Sequence, residues 1–192
     1  MAGAASIALA VSDLQNVDGL DRPTIIHRDI SLVNYVIVKG RMKLNDFNGS
    51  YMIKWDKERD QPCNIRDHQF CGYDGRRVDA RSPEECLDNP LSAKLDVYGL
   101  GFVLFNLLTG KRPYHLEPGN KTLTNDDYRQ LIVNDIPPSL SNKIEDSKDS
   151  ATIAVKTAIR MAMTHFPQER PTAKAIADYL ITSYVEARGG KI

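Results

Sequence analysis

His27-Arg28-Asp29 is followed five residues after the aspartate by Asn34, and seventeen after it by Asp46-Phe47-Asn48. Two carboxylates and an amide on two neighbouring short loops suit phosphoryl transfer from a magnesium-bound nucleotide. Asp29 can accept a proton from an attacking hydroxyl, and Asn34 and Asp46 offer hard oxygen ligands to Mg²⁺. A lone His-Arg-Asp is weak evidence, because a surface aspartate after a basic residue is ordinarily a solvated turn. The full set at these spacings is much harder to reach by chance.

Elements must hold these residues in place. The β-branched run Thr24-Ile25-Ile26 leads into His27. Tyr35–Val38 and Arg41–Leu44 flank the turn Lys39-Gly40 and read as a β-hairpin. Asn34 stands at its entry and Asp46 at its exit, so both side chains come to one end of it. Upstream, an Ala-rich stretch reads as an amphipathic helix over about residues 3–18. It lacks the basic n-region of a secretory signal. Downstream, the pattern predicts helices over about 92–109, ended by Gly110, and from a cap at Asn125-Asp126 to Val133. Two more run from Asp149-Ser150 to about Thr164 and from Pro171 to about Glu186. The apolar run Val97–Leu108 is too short to span a bilayer and fits a buried core helix. Residues 48–88 read as one long irregular segment, of a length that is usually functional or disordered. The fold class is mainly α with small β-hairpins.

Composition agrees with one ordinary globular domain. The chain has 192 residues, 42% hydrophobic and 26% charged, near the averages for soluble domains. Lys plus Arg and Asp plus Glu number 25 each, so no general basic surface exists to recruit nucleic acid or anionic membrane. Cys63, His68, Cys71 and Cys86 loosely suggest zinc, but the spacing matches no common zinc module. Three reduced thiols are the expected state.

The chain resembles the eukaryotic-type protein kinases. His27-Arg28-Asp29-Ile30-Ser31-Leu32-Val33-Asn34 looks like the catalytic loop, and Asp46-Phe47-Asn48 like the metal-binding motif, whose third residue is normally Gly. Ser82-Pro83-Glu84 looks like the Ala-Pro-Glu motif that closes the activation segment. Asp96-Val97-Tyr98-Gly99-Leu100-Gly101 looks like the start of the central helix. Arg170-Pro171-Thr172 looks like the arginine that pairs with that Glu, here Glu84. The resemblance implies a protein-kinase-like C-terminal lobe over residues 1–192. Its catalytic loop would be 27–34, its activation segment 46–84 and its helical subdomain 92–186. It implies ATP and Mg²⁺ as cofactors and a protein as substrate. Asp29 would be the catalytic base, Asn34 and Asp46 the metal ligands, and Val36 the floor of the adenine pocket. His27, Arg28, Phe47, Glu84, Asp96 and Arg170 would be structural or regulatory. Glu84 should pair with Arg170, His27 should stack near Phe47, and Asp96 should reach the backbone of the loop.

Several positions depart from the family. The Lys usual two after the catalytic Asp in Ser/Thr kinases is Ser31, the Arg usual four after it in tyrosine kinases is Val33, and the Thr usual seven before the motif Glu is Arg77. Arg76, Arg77 or Arg81 could supply the missing positive charge, or form a solvated face, or bind a phosphorylated loop residue. Asn48 stands where Gly allows positive φ, which Asn tolerates better than other residues. Arg28 would receive a phosphate on the activation segment, where Ser50, Tyr51 and Tyr73 lie.

No G-x-G-x-x-G or Val-Ala-x-Lys pattern precedes His27. Two explanations follow: a fragment of a longer kinase, inactive alone, or a standalone, pseudokinase-like binding module. The retained Asp29, Asn34 and Asp46 favour the first. A small-molecule phosphotransferase is a further alternative, but that class usually lacks both Arg before the Asp and the Ser-Pro-Glu/Arg170 pairing. The apolar face bearing Val36 and Phe47 is expected to be uncovered, for a missing N-lobe or a partner. An intracellular location is expected, with no membrane segment in this chain.

Overall fold

A computed structural model describes residues 1–20, 22–63, 78–114 and 123–190. Its axis is α3 (Lys94–Thr109), in which every residue from Leu95 to Phe105 is buried. A helix that is apolar all round must lie inside, with other elements covering each face. Gly110 ends it in the left-handed conformation at φ +68°, where a side chain would be strained.

Two helices lie against α3 from different sides. The first is α1 (Ala2–Gln15), which buries Ala4, Ile7, Ala8, Val11 and Leu14, one helical face. Its small residues let it approach both α3 and the last helix, α7 (Ala173–Ala187). The second is α6 (Ser150–Ala162), capped by Asp149, whose carboxylate accepts the Thr152 N–H at 2.8 Å. Helix α6 crosses α3 at Gly101. A Cβ there would lie 2.5 Å from Met163 Cγ, so only glycine permits the crossing. Two residues earlier, a Cβ on Gly99 would meet Ile30 Cβ at 3.0 Å. The central helix therefore lies directly under the loop that carries Asp29.

Three two-stranded antiparallel sheets occur among the described residues. Strand β1 (Ile25–Ile26) pairs with β4 (Tyr51–Met52), and β2 (Tyr35–Val38) pairs with β3 (Arg41–Leu44) in the register Tyr35↔Leu44 to Val38↔Arg41. Lys39 and Gly40 both have positive φ, 51° and 77°, as a tight hairpin turn requires. Strand β5 (Trp55–Asp56) pairs with β6 (Gln61–Pro62).

The structure corrects several sequence expectations. Within 48–88 it places β4, β5, β6 and the short helix α2 (Pro83–Cys86), so this stretch is not irregular throughout. Strands of two residues are too short to show a period, which is why the pattern missed them. Helix α4 (Asn125–Val133) is capped one residue earlier than expected, by Thr124, and α7 is capped by Thr172 rather than opened by Pro171. The short α5 (Asn142–Glu145) was not expected. Cys63 is a free thiol, but Cys86 is disulfide-bonded, against three reduced thiols. No described helix is long and apolar enough to cross a membrane.

Candidate active site

The site is built on one buried carboxylate. Asp96 sits in the first turn of α3, 1% exposed. It accepts the backbone N–H of His27 at 2.7 Å and of Arg28 at 2.8 Å, one on each oxygen. A carboxylate in an apolar helix is costly unless donors meet it, and here the donors are the loop backbone itself. The bond fixes Arg28 in the left-handed region at φ +67°, a strained conformation for a long side chain. Burial pushes the Asp96 carboxyl up to about 7, while the two N–H bonds pull the other way.

That shift has a sign. The folded value lies above the ordinary 3.8, so the folded state holds this proton more tightly than the unfolded chain does. The linked stability is fully present below the unfolded value and is lost as pH rises through the folded value near 7. Asp96→Asn removes the titration and leaves one loop N–H without an acceptor, at about 1–3 kcal/mol. In urea unfolding across this range, the stability of the native chain relative to Asp96→Asn should decline with rising pH. Parallel profiles would contradict the shift.

Asp96 aims the loop so that His27 turns inward. The Asp29 N–H donates to His27 Nδ1 at 3.3 Å, so Nδ1 is an acceptor and the ring proton sits on Nε2. That nitrogen faces the Asn45 carbonyl oxygen at 3.0 Å. The imidazole meets Phe47 with centroids 4.8 Å apart and planes at 59°. His27 thus ties the loop to the exit of the hairpin.

Asp29 itself is exposed. Asn34 Nδ2 donates both to its backbone oxygen and to its Oδ2, each at 2.9 Å. These two bonds hold the Asp29 carboxylate and leave Asn34 Oδ1 as the acceptor end of the amide. The Asn45 N–H donates to the Asn34 backbone carbonyl at 2.8 Å, which closes the hairpin and brings the chain entering Asp46 to the same end as Asn34. The left-handed residue is Asp46 at φ +61°, not Asn48. Asn48 in place of Gly therefore meets no positive-φ strain. Asn34 and Asp46 offer only oxygen donors, the kind a hard divalent cation takes.

Away from that edge, Glu84 and Arg170 meet across 86 residues of sequence. The ion pair is bidentate, Nη1 to Oε1 at 2.8 Å and Nη2 to Oε2 at 3.1 Å, with both side chains buried. Arg170 Nε donates to the Thr164 oxygen at 2.8 Å, Nη1 to Lys94 O at 2.6 Å and Nη2 to His165 O at 2.9 Å. All five guanidinium N–H groups therefore have an acceptor. Tyr98 lies under the guanidinium, 4.8 Å from its ring centroid. Lys94 Nζ in turn donates to the Arg170 carbonyl. Burial, and then the Arg170 charge, lower its pKa.

Other sequence-derived residues fall as follows. Val36 and Phe47 are exposed, the latter by 46%, with Val33 at 86% and Ile37 at 72% close by in sequence. Arg28 is buried with its guanidinium over the Tyr51 ring at 4.7 Å. His68, Cys71, Tyr73, Arg76 and Arg77 lie outside the described residues. Arg81 pairs with Glu85 at 3.0 Å and donates to the Arg28 carbonyl at 3.3 Å, so its charge is not a solvated face. Glu85 also accepts from the Ser82 N–H at 2.9 Å. The sequence reading passed over Glu85, although Ser82-Pro83-Glu84-Glu85 carries the spacing of a capping box.

The described geometry has counterparts in known proteins. The Protein kinase domain family model matches residues 7–180. The chain is 28% identical over 172 residues to the receptor-like protein kinase HAIKU2 of Arabidopsis thaliana, covering 84% of this chain and 16% of that protein. It is 30% identical over 166 residues to the receptor protein-tyrosine kinase CEPR1 of the same plant, covering 83% and 16%. Against the serine/threonine-protein kinase mos of Xenopus laevis it is 22% identical over 174 residues, covering 89% and 45%. The chain thus spans less than half the length of each of these relatives. The family match runs unbroken from α1 into α7, through the His27–Asn34 loop, the hairpin and both partners of the Glu84–Arg170 pair, and by that match the chain belongs to the protein kinase domain family.

Proposed function

We propose that residues 1–192 form the C-terminal lobe of a protein kinase domain and serve ATP- and Mg²⁺-dependent phosphoryl transfer to protein hydroxyls. The observation that supports this reading is the linked set in which Asn34 Nδ2 donates to the backbone oxygen and to Oδ2 of Asp29, while the Asn34 backbone carbonyl accepts from Asn45, the residue before Asp46. Asp29 orients the attacking hydroxyl and takes its proton. Asn34 Oδ1 and the Asp46 carboxylate hold the metal, and Val36 supports the nucleotide base. Bound magnesium would neutralise charge on the transferring phosphoryl group. Loop 27–34 acts as the catalytic loop, 46–84 as the activation segment and 92–186 as the helical subdomain. Asp96, His27 and Phe47 position the loop, and Glu84–Arg170 anchors the end of the activation segment.

Phosphoryl transfer in this family needs the nucleotide held from both sides, and this chain offers one side. Alone it is expected to transfer phosphate extremely slowly or not at all. The test is a radiolabelled ATP assay with generic protein substrates. It compares this chain, a form extended upstream by a nucleotide-holding lobe, and the extended Asp29→Asn variant. Robust transfer by the short chain, insensitive to Asp29→Asn, would overturn both the lobe and the base assignments.

A second reading, a non-catalytic binding module, draws on the exposed apolar residues Val33, Ile37 and Phe47. Under it the extended chain would bind partners and stay inactive in the same assay.

A further inference from the structure

A cavity of about 570 Å³ opens beside Asp29. Its floor is Phe102 and Val103 of α3, and its walls are the loop from Arg28 to Val33, Ala80-Arg81, and the turn from Gly110 to Pro113. Its lining holds three arginines, Arg28, Arg81 and Arg112, and one carboxylate, Asp29. The arginines are not equivalent. Arg81 is engaged with Glu85 at 3.0 Å, both side chains nearly buried. Arg28 is buried against the Tyr51 ring. Arg112 is exposed, and among the described residues it has no ion pair; Lys111, next to it, is a second exposed cation.

The turn that presents Arg112 is held by hydrogen bonds at Lys111. The Lys111 carbonyl accepts from Asn106 Nδ2 at 2.5 Å and from Thr109 Oγ1 at 3.1 Å, and the Lys111 N–H donates to Thr109 Oγ1 at 3.0 Å. Pro113, buried, fixes the backbone on the other side. The one other polar side chain that α3 adds to the lining, Asn106, is neutral and would not attract a basic segment.

We propose that this cavity selects an acidic protein segment, with Arg112 pairing a carboxylate side chain that flanks the acceptor hydroxyl at Asp29. The inference rests on the kinase reading of Asp29 and adds the substrate class. An extended segment fits because its apolar residues can lie on the exposed wall residues Leu32 and Val33 while its charge meets the Arg112 cation at the rim. Such an arrangement sets specificity and capture more than raw affinity.

The test is fluorescence anisotropy of labelled peptides on the 192-residue chain. Three peptides share one serine acceptor and differ only in the flanking residues: glutamate, lysine or phosphoserine. The glutamate peptide is expected to bind about tenfold tighter than the lysine peptide, the scale of a partly exposed charge pair. The preference should shrink in high salt. Arg112→Glu should reverse it and Arg112→Gln should erase it, with unchanged circular dichroism. Equal binding of the glutamate and lysine peptides, or a preference that survives Arg112→Glu, would overturn the proposal. So would binding of the phosphoserine peptide alone, which would assign the cavity to a phosphate. The same peptides then serve as substrates for the extended chain. Transfer with no charge preference counts against the acidic segment and leaves the kinase reading intact. Charge-selective binding with no transfer does the reverse.

Discussion

Arg170→Met lowers the free energy of unfolding by about 3–5 kcal/mol, because it leaves Glu84 as a buried, unpaired carboxylate. Glu84 is 2% exposed, so water cannot replace the lost partner. The loss is larger than a surface pair would give, about 0–1 kcal/mol. Three carbonyls, of Thr164, Lys94 and His165, lose their donor in the same step. The double variant Glu84→Leu/Arg170→Met separates the two effects. With no charge left buried, it should recover part of the loss, but those carbonyls stay unpaired, so recovery stops short of the native value. Urea unfolding of the native chain, both single variants and the double gives the coupling directly. A single-variant loss below about 1 kcal/mol would mean that the pair is solvated in solution.

Asp29→Asn in the lobe-extended chain lowers the rate of phosphoryl transfer by about 10²- to 10⁴-fold, the range for a positioned acid or base. The substitution is conservative in shape. Asp29 is exposed, and Asn34 Nδ2 can still donate to the amide oxygen of an Asn, as it now does to Oδ2 at 2.9 Å. Stability should therefore change little, and the loss should appear in kcat with KM for ATP nearly unmoved. Asp46→Asn should instead raise the magnesium concentration needed for half-maximal rate, since it removes a charged oxygen from the metal side. An Asp29→Asn variant that keeps its full rate would remove Asp29 from the chemistry and favour the binding-module reading.

Much of the site was legible in the chain because its parts are close in sequence. The spacing from His27 through Asn34 to Asp46 is local, and a hairpin with Lys39-Gly40 at its turn must bring Asn34 and Asp46 to one end. The central helix was legible for a similar reason. An apolar run of about a dozen residues, interrupted only by Asn106 and followed by Gly110, reads as a core helix with a left-handed stop. The two-residue strands β4, β5 and β6 and the four-residue helices α2 and α5 were not legible, since one turn or one bridge carries no period. Glu85 was missed because its capping spacing was overshadowed by the neighbouring Glu84. Arg112 drew no notice because a basic pair after a helix stop reads as an ordinary solvated turn.

By itself, the sequence determined the order of the candidate residues and the existence and approximate place of the long helices, since these follow from local hydrogen bonding and from the helical and strand periods, while the helix ends moved by a few residues. Only the tertiary structure decided which polar groups would be buried and by whom they would be met. Asp96 receives two loop N–H groups from nearly seventy residues upstream, at 2.7 and 2.8 Å. Arg170 finds acceptors from three separate segments of the chain. The left-handed residue of the turn after the hairpin is Asp46, where the sequence pointed to Asn48. Each of these depends on how α3 is packed against its neighbours. A buried donor or acceptor takes whichever partner the packing brings, and sequence spacing does not encode that choice.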